Sequence, residues 1–170
     1  RQASPMNSRT TMRLFVSHPL FIALLRVALG AVFIVASFDK IQNPEAFATT
    51  IANYRLLPYT VINGIAIALP WLEVVTGTLL ALGVWIRANT MIAWGLLLVF
   101  SVAIFQALVR GLDISCGCFT TNPAAERMTL WTLFWDLIWI SWGILIWVFD
   151  HGRYSLVELL KTRRDKIASP

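Results

Sequence analysis

The chain is poor in residues that do chemistry unaided. Among 170 residues there are two cysteines and two histidines, and charged residues make up 14%. So little charge, beside 58% hydrophobic residues, excludes a disordered segment and argues against an ordinary water-soluble domain. The sequence lacks a nucleotide-binding glycine loop, a serine-nucleophile motif and a haem-attachment pattern. A self-contained kinase or hydrolase is therefore not expected.

What the chain has in quantity is long apolar runs: residues 20–38, 61–85, 90–109 and 130–149. A hydrocarbon core of roughly 30 Å needs about 20 helical residues to cross it. In lipid, only helices and closed barrels satisfy their own backbone hydrogen bonds. The runs are continuous and do not alternate polar with apolar, so helices are expected and not barrel strands. The expected fold is all-α: a multi-pass membrane protein, a four-transmembrane-helix bundle over residues 20–150. It lies between a basic leader, 1–19, and a basic tail, 151–170. The first run is too long for a signal-peptide core and is followed by Asp39, Lys40 and Asn43, so it reads as a retained helix. The chain opens on Arg1, with Met6 and Met12 as candidate native starts.

Four spans put both termini on one side. That side carries nine basic residues (Arg1, Arg9, Arg13, Arg87, Arg153, Lys161, Arg163, Arg164 and Lys166) against four on the other (Lys40, Arg55, Arg110 and Arg127). The imbalance favours cytoplasmic termini. The tail then reads as a topology anchor touching anionic lipid, and not as a nucleic-acid site, since no aromatic–basic module accompanies the charge. Zinc needs about four ligands. His18 and His151 fall on the side away from the cysteines, so no metal site is expected.

The first external loop should contain a short surface helix. Asn43 can cap it, Pro44 suits its first position and Glu45 its positive end. Phe47, Ile51, Tyr54 and Leu57 recur on one face, as in a helix lying on a membrane, and Pro58 marks its end. In the second span, Pro70 removes a backbone donor and should kink it. Gly77 and Ala81 form a small-xxx-small pair that lets a neighbour approach.

Cys116 and Cys118 form a Cys-Gly-Cys in the second external loop. Disulfides persist outside the cytoplasm. A bridge across one residue departs from ordinary geometry and should be easy to reduce, so a redox-active pair is one reading. Two separate thiols, or a static clip, are the others. Arg26, Glu73 and Asp136 lie inside the spans, where charges are costly and face the bundle interior or a partner. Counted at ~1.5 Å per residue, Arg26 and Glu73 fall at one depth, and an ion pair between them is expected. It serves either as glue between helices or as a polar site for a quinone head group or a proton. Asp136, with Gln106 at similar depth, sits below the cysteine loop. It either moves protons when the thiols react or makes a simple hydrogen bond. Arg110 or Arg127 would favour a thiolate. Trp131, Trp135, Trp139 and Trp142 form one stripe, against lipid, another subunit, a quinone or a pigment.

Three segments together resemble the DoxX-like superfamily, and within it the methylamine-utilisation MauE branch. They are Arg26-Val-Ala-Leu-Gly30 through Phe38-Asp-Lys40 to Asn43-Pro44 and Phe47; Tyr54-Arg-Leu-Leu-Pro58 with Leu69-Pro70-Trp-Leu-Glu73 and Gly77; and Cys116-Gly-Cys118-Phe119. Thr120 stands where the MauE-like pattern has glycine. The resemblance implies a four-helix protein of the bacterial inner membrane tied to thiol–disulfide chemistry in the periplasm. It implies maturation of a disulfide-rich dehydrogenase subunit beside a thioredoxin-like partner, and a quinone link known among DoxX relatives. Carried over, Cys116 and Cys118 would be the redox pair and Arg26 and Glu73 the intramembrane polar pair. Two further readings stand beside it: a non-catalytic subunit of a larger electron-transfer complex, and a small transporter, for which no inverted repeat speaks.

Overall fold

The computed structural model describes residues 18–112, 114–117, 129–150, 152 and 154–168. The helices in chain order are α1 (Pro19–Gln42), α2 (Pro44–Asn53), α3 (Tyr59–Leu82), α4 (Ile86–Val109), α5 (Leu130–Phe149) and α6 (Leu156–Ala168). Helices α1, α3, α4 and α5 are each long and apolar enough to cross a membrane. The protein is the expected all-α, four-span membrane bundle. The leader up to residue 17, together with Cys118, Phe119, Thr120, Arg127, His151 and Arg153, lies outside the described residues.

The first span continues past Phe38 to Gln42, which carries Asp39 and Lys40 into the helix. Its buried stripe reads Ile22, Arg26, Leu29, Phe33, Ser37 and Lys40, a three-or-four spacing that keeps one face on the bundle. Asn43 breaks the helix. Its side chain does not cap α2, as expected, but turns back and donates to Asp39 (3.0 Å to Oδ1). Pro44 does open α2. That helix stops at Asn53, short of Pro58, and Arg55 takes a positive φ of 52° in the turn beyond. Pro70 is buried within α3, which runs unbroken to Leu82. Gly83 ends α3 in the left-handed conformation, φ 73°, which glycine adopts without steric cost.

Helices α1 and α3 approach each other closely at two glycines, Gly30 and Gly77. A Cβ on Gly30 would lie 2.5 Å from the Gly77 carbonyl oxygen and 3.0 Å from the Ala81 Cβ. The small pair on α3 thus receives a third small residue, and the two backbones touch. Gly30→Ala should force the helices apart and cost about 1–3 kcal/mol, read as a lower unfolding midpoint in detergent. Unchanged stability would mean that the crossing has slack.

The tryptophans do not form a single outward stripe. Trp131 and Trp135 are exposed, whereas Trp139 and Trp142 pack against the core of Leu25, Leu29, Phe33 and Ile146. The rings still make a continuous ladder, with centroids 5.9 Å apart for Trp131–Trp135, 6.3 Å for Trp135–Trp139 and 4.8 Å for Trp139–Trp142. The basic tail contains a helix, α6, which composition alone did not reveal.

A candidate redox site at the mouth of an apolar cavity

Cys116 is disulfide-bonded, and Cys118 lies outside the described residues. The cysteine loop is held from two directions. Tyr54, just past α2, donates its phenol O–H to the Cys116 carbonyl at 2.8 Å. The Arg110 guanidinium, at the end of α4, donates to the Tyr54 carbonyl at 3.1 Å. Burial, and secondarily the charge of Asp136, hold the Tyr54 phenol above its ordinary pKa, so it stays a neutral donor. Gly117 has φ 68°, and a Cβ there would meet the Thr50 Cγ2 at 2.5 Å. Glycine between the cysteines therefore does more than relax a turn: it lets the loop seat on α2. Arg110, expected beside the thiols, has its guanidinium on the Tyr54 carbonyl.

Beneath the loop lies a cavity of about 420 Å³ between α2, α3 and α4, with Phe47, Ile51, Tyr54, Leu57, Phe100 and Cys116 in its walls. The face of α2 that reads as a lipid-surface stripe is this wall. Phe47 and Tyr54 are buried in this wall, and Tyr54 packs against Ile104 and Ala107 of α4. Sites of this size and apolar character take small lipophilic molecules.

The intramembrane charges pair differently from the expectation. Arg26 does not meet Glu73. Its Nη1 donates to Asp150 Oδ2 at 3.0 Å and its Nη2 to the Tyr154 carbonyl at 3.0 Å. Glu73 instead accepts from Lys40 Nζ, at 3.0 Å and 2.9 Å to its two oxygens, and from Ser37 Oγ at 3.0 Å. Depth counted from the ends of hydropathy runs assumes that the helices start in one plane. The Gly30–Gly77 contact sets a different register. Arg26 lies beside Gly83, at the end of α3, while Glu73 lies beside Ser37. The eleven residues from Arg26 to Ser37 put roughly 16 Å of helix between the two sites.

Lys40, which the sequence reads only as one of four basic residues on the side away from the termini, is the residue that sequence reasoning misses. It falls seven residues after Phe33 on the buried stripe of α1, and that spacing was the available signal. Its ammonium sits between two aromatic rings, 5.2 Å from the Phe47 centroid and 5.0 Å from that of Phe100. Asp136 accepts from Ser101 Oγ at 3.2 Å. Gln106, expected at its side, is exposed. Asp136 lines an inner cavity of about 50 Å³ with Lys40 and Glu73, toward the bundle centre and not toward the cysteine loop.

A four-span bundle with a disulfide-bonded cysteine in the wall of an apolar hollow, and a buried ion pair between its first two spans, defines a small integral-membrane protein. The family model described as methylamine utilisation protein MauE matches residues 18–149, and the chain belongs to that family. It is similar to the methylamine utilization protein MauE of Methylorubrum extorquens, at 31% identity over 135 residues, 79% of this chain and 69% of that protein. The like-named protein of Paracoccus versutus is 33% identical over 119 residues, 69% of this chain and 63% of its own length. That of Paracoccus denitrificans is 31% identical over 106 residues, or 62% of this chain, and the match covers 57% of the relative's length. No solved structure matches.

Proposed function

We propose that this protein exchanges a disulfide with an extracytoplasmic protein partner through Cys116 and Cys118, and passes the electron pair to a quinone in the apolar cavity. Disulfide-bonded Cys116 in the wall of a 420 Å³ lipophilic cavity is the observation that carries this reading. The chain has two cysteines in all, so it cannot relay electrons between two dithiols of its own. It needs a second redox group, and the cavity offers a lipid-soluble one access to Cys116.

The balance is simple. A partner dithiol gives two electrons to the disulfide and becomes a disulfide itself, leaving two thiols here. Those thiols return to the disulfide by giving two electrons and two protons to a quinone, which becomes a quinol. Kinship with the relatives' methylamine utilisation, and the wider likeness to DoxX-like proteins, make a dehydrogenase subunit rich in disulfides the partner to test. The proposal also places the termini in the cytoplasm and the cysteine loop in the periplasm of a bacterial inner membrane.

The test is mass-shift labelling of Cys116 and Cys118 in native membranes with a membrane-impermeant thiol reagent, with and without a mild dithiol. The expected result is a reversible mixture of states that follows the respiratory state, and loss of partner oxidation in both Cys116→Ser and Cys118→Ser. Normal partner oxidation in the two variants would sink the reading. A second reading, a non-catalytic subunit of a larger membrane complex, is favoured by the exposed aromatic face of Trp131, Phe134 and Trp135. In that case the complex would disperse without this protein yet stay active with either serine variant.

A further inference from the structure

We propose that α6 lies flat on anionic lipid headgroups at the end of the bundle that carries both termini, its leucines toward the bilayer and its carboxylates toward water. This placement does not depend on the redox reading above.

The helix sorts its side chains by chemistry. At 3.6 residues per turn each residue advances about 100°. Leu156 and Leu160 then fall about 40° apart, on one face. Glu158 and Asp165 fall about 20° apart and nearly opposite those leucines. Lys161 and Arg164 stand between the two faces, on the flank. A helix at an anionic bilayer surface has this order. Its apolar face enters the acyl boundary, and long basic side chains reach the headgroup phosphates from the rim. A helix docked on its own bundle would bury its leucines. Leu156 and Leu160 are 40% and 59% exposed, and neither hydrophobic core takes a described side chain from α6.

The bundle fixes where α6 starts. The Arg26 guanidinium holds Asp150 Oδ2 and the Tyr154 carbonyl, each at 3.0 Å, beside the end of α3 at Gly83. Ser155 is buried against Gly83, and its hydroxyl accepts the Glu158 N–H at 3.2 Å. The helix therefore begins on the bundle and not on a free tether. Trp85 and Tyr154 are exposed at this same end, and such amphipathic rings collect at the membrane–water interface. Leu156 lies two residues beyond Tyr154, so the leucine face begins at headgroup level. Arg87 is exposed next to Trp85. With Lys161 and Arg164 it gives this end three exposed cations, and a negative lipid surface is the partner that their charge fits.

The test places a thiol-reactive fluorophore on the full chain at Leu160→Cys or at Asp165→Cys, with the native disulfide kept oxidised. The protein sits in nanodiscs of phosphatidylcholine, alone or mixed with phosphatidylglycerol. Brominated acyl chains report contact with lipid, and acrylamide reports contact with water. With phosphatidylglycerol present, the fluorophore at 160 should be quenched by brominated chains and shielded from acrylamide, and that at 165 the reverse. In phosphatidylcholine alone, or in Lys161→Gln/Arg164→Gln, the shielding at 160 should fall. Loss of two cations shifts the helix toward water about thirtyfold, at roughly fivefold per charge. Equal acrylamide access at 160 and 165 in the anionic nanodiscs would overturn the proposal. So would equal shielding with and without phosphatidylglycerol. Shielding at 160 from both quenchers would overturn it too, since a second copy or another protein would then cover the leucines.

Discussion

Lys40→Met should destabilise the bundle by about 3–5 kcal/mol, the usual cost of removing one partner of a buried ion pair. The Lys40 and Glu73 side chains are 1% and 5% exposed, so water cannot replace the lost ammonium. The Glu73 carboxylate would keep only the Ser37 hydroxyl among the donors described for it, in an otherwise apolar crossing. The rings of Phe47 and Phe100 would lose the cation between them as well. Lys40→Met/Glu73→Met should recover most of the loss, because replacing both charges removes the desolvation cost together with the attraction. Thermal or denaturant unfolding in one detergent, across the wild type, Lys40→Met, Glu73→Met and the double variant, measures this. Additive losses in the double variant would refute the pairing.

Arg26→Leu should cost about 3 kcal/mol and have a second consequence at a distance. Arg26 ties the end of α5, through Asp150, to the segment that starts α6, through the Tyr154 carbonyl. Asp150 Oδ1 also accepts the Gly152 N–H at 2.7 Å, so one carboxylate organises the turn between the helices. Ser155 packs on this latch, and a Cβ at Gly83 would come within 2.6 Å of the Ser155 Cβ and 3.1 Å of the Arg26 Cζ. Arg26 Nε finds no hydrogen-bond partner among the described residues, so the latch retains one desolvated donor. Limited proteolysis should release the 156–168 segment sooner from the variant than from wild type. Equal cleavage would show that α6 is held by something other than Arg26.

The spans were legible because lipid imposes one demand, a long apolar helix, and the composition meets it four times. The final span, 130–149, coincides with α5 to the residue. The approach of helices at Gly77 and Ala81 was legible too, since only small residues allow it. The pairing of charges was not. It depends on how far one helix slides along another, and hydropathy runs fix length without fixing register. Asp39 and Lys40 look like the end of a span, yet α1 continues through them and its inward face takes Lys40 along. The cavity was hidden for a different reason. The face of Phe47, Ile51, Tyr54 and Leu57 is amphipathic in the same way whether it covers lipid or a hollow under a loop, and periodicity cannot tell the two apart.

The backbone contact at Gly30 and Gly77 gives the bundle a fulcrum. The same two helices also meet on either side of it, where Arg26 lies beside Gly83 and where Ser37 and Lys40 donate to Glu73. Arg26 lies four residues to one side of Gly30 and Lys40 ten to the other, lever arms of about 6 Å and 15 Å. Any tilt of α1 that moves the Arg26 end one way swings the Lys40 end the other way, about two and a half times as far at this rise per residue. The latch at the termini and the ion pair beneath the cysteine loop are two ends of one beam.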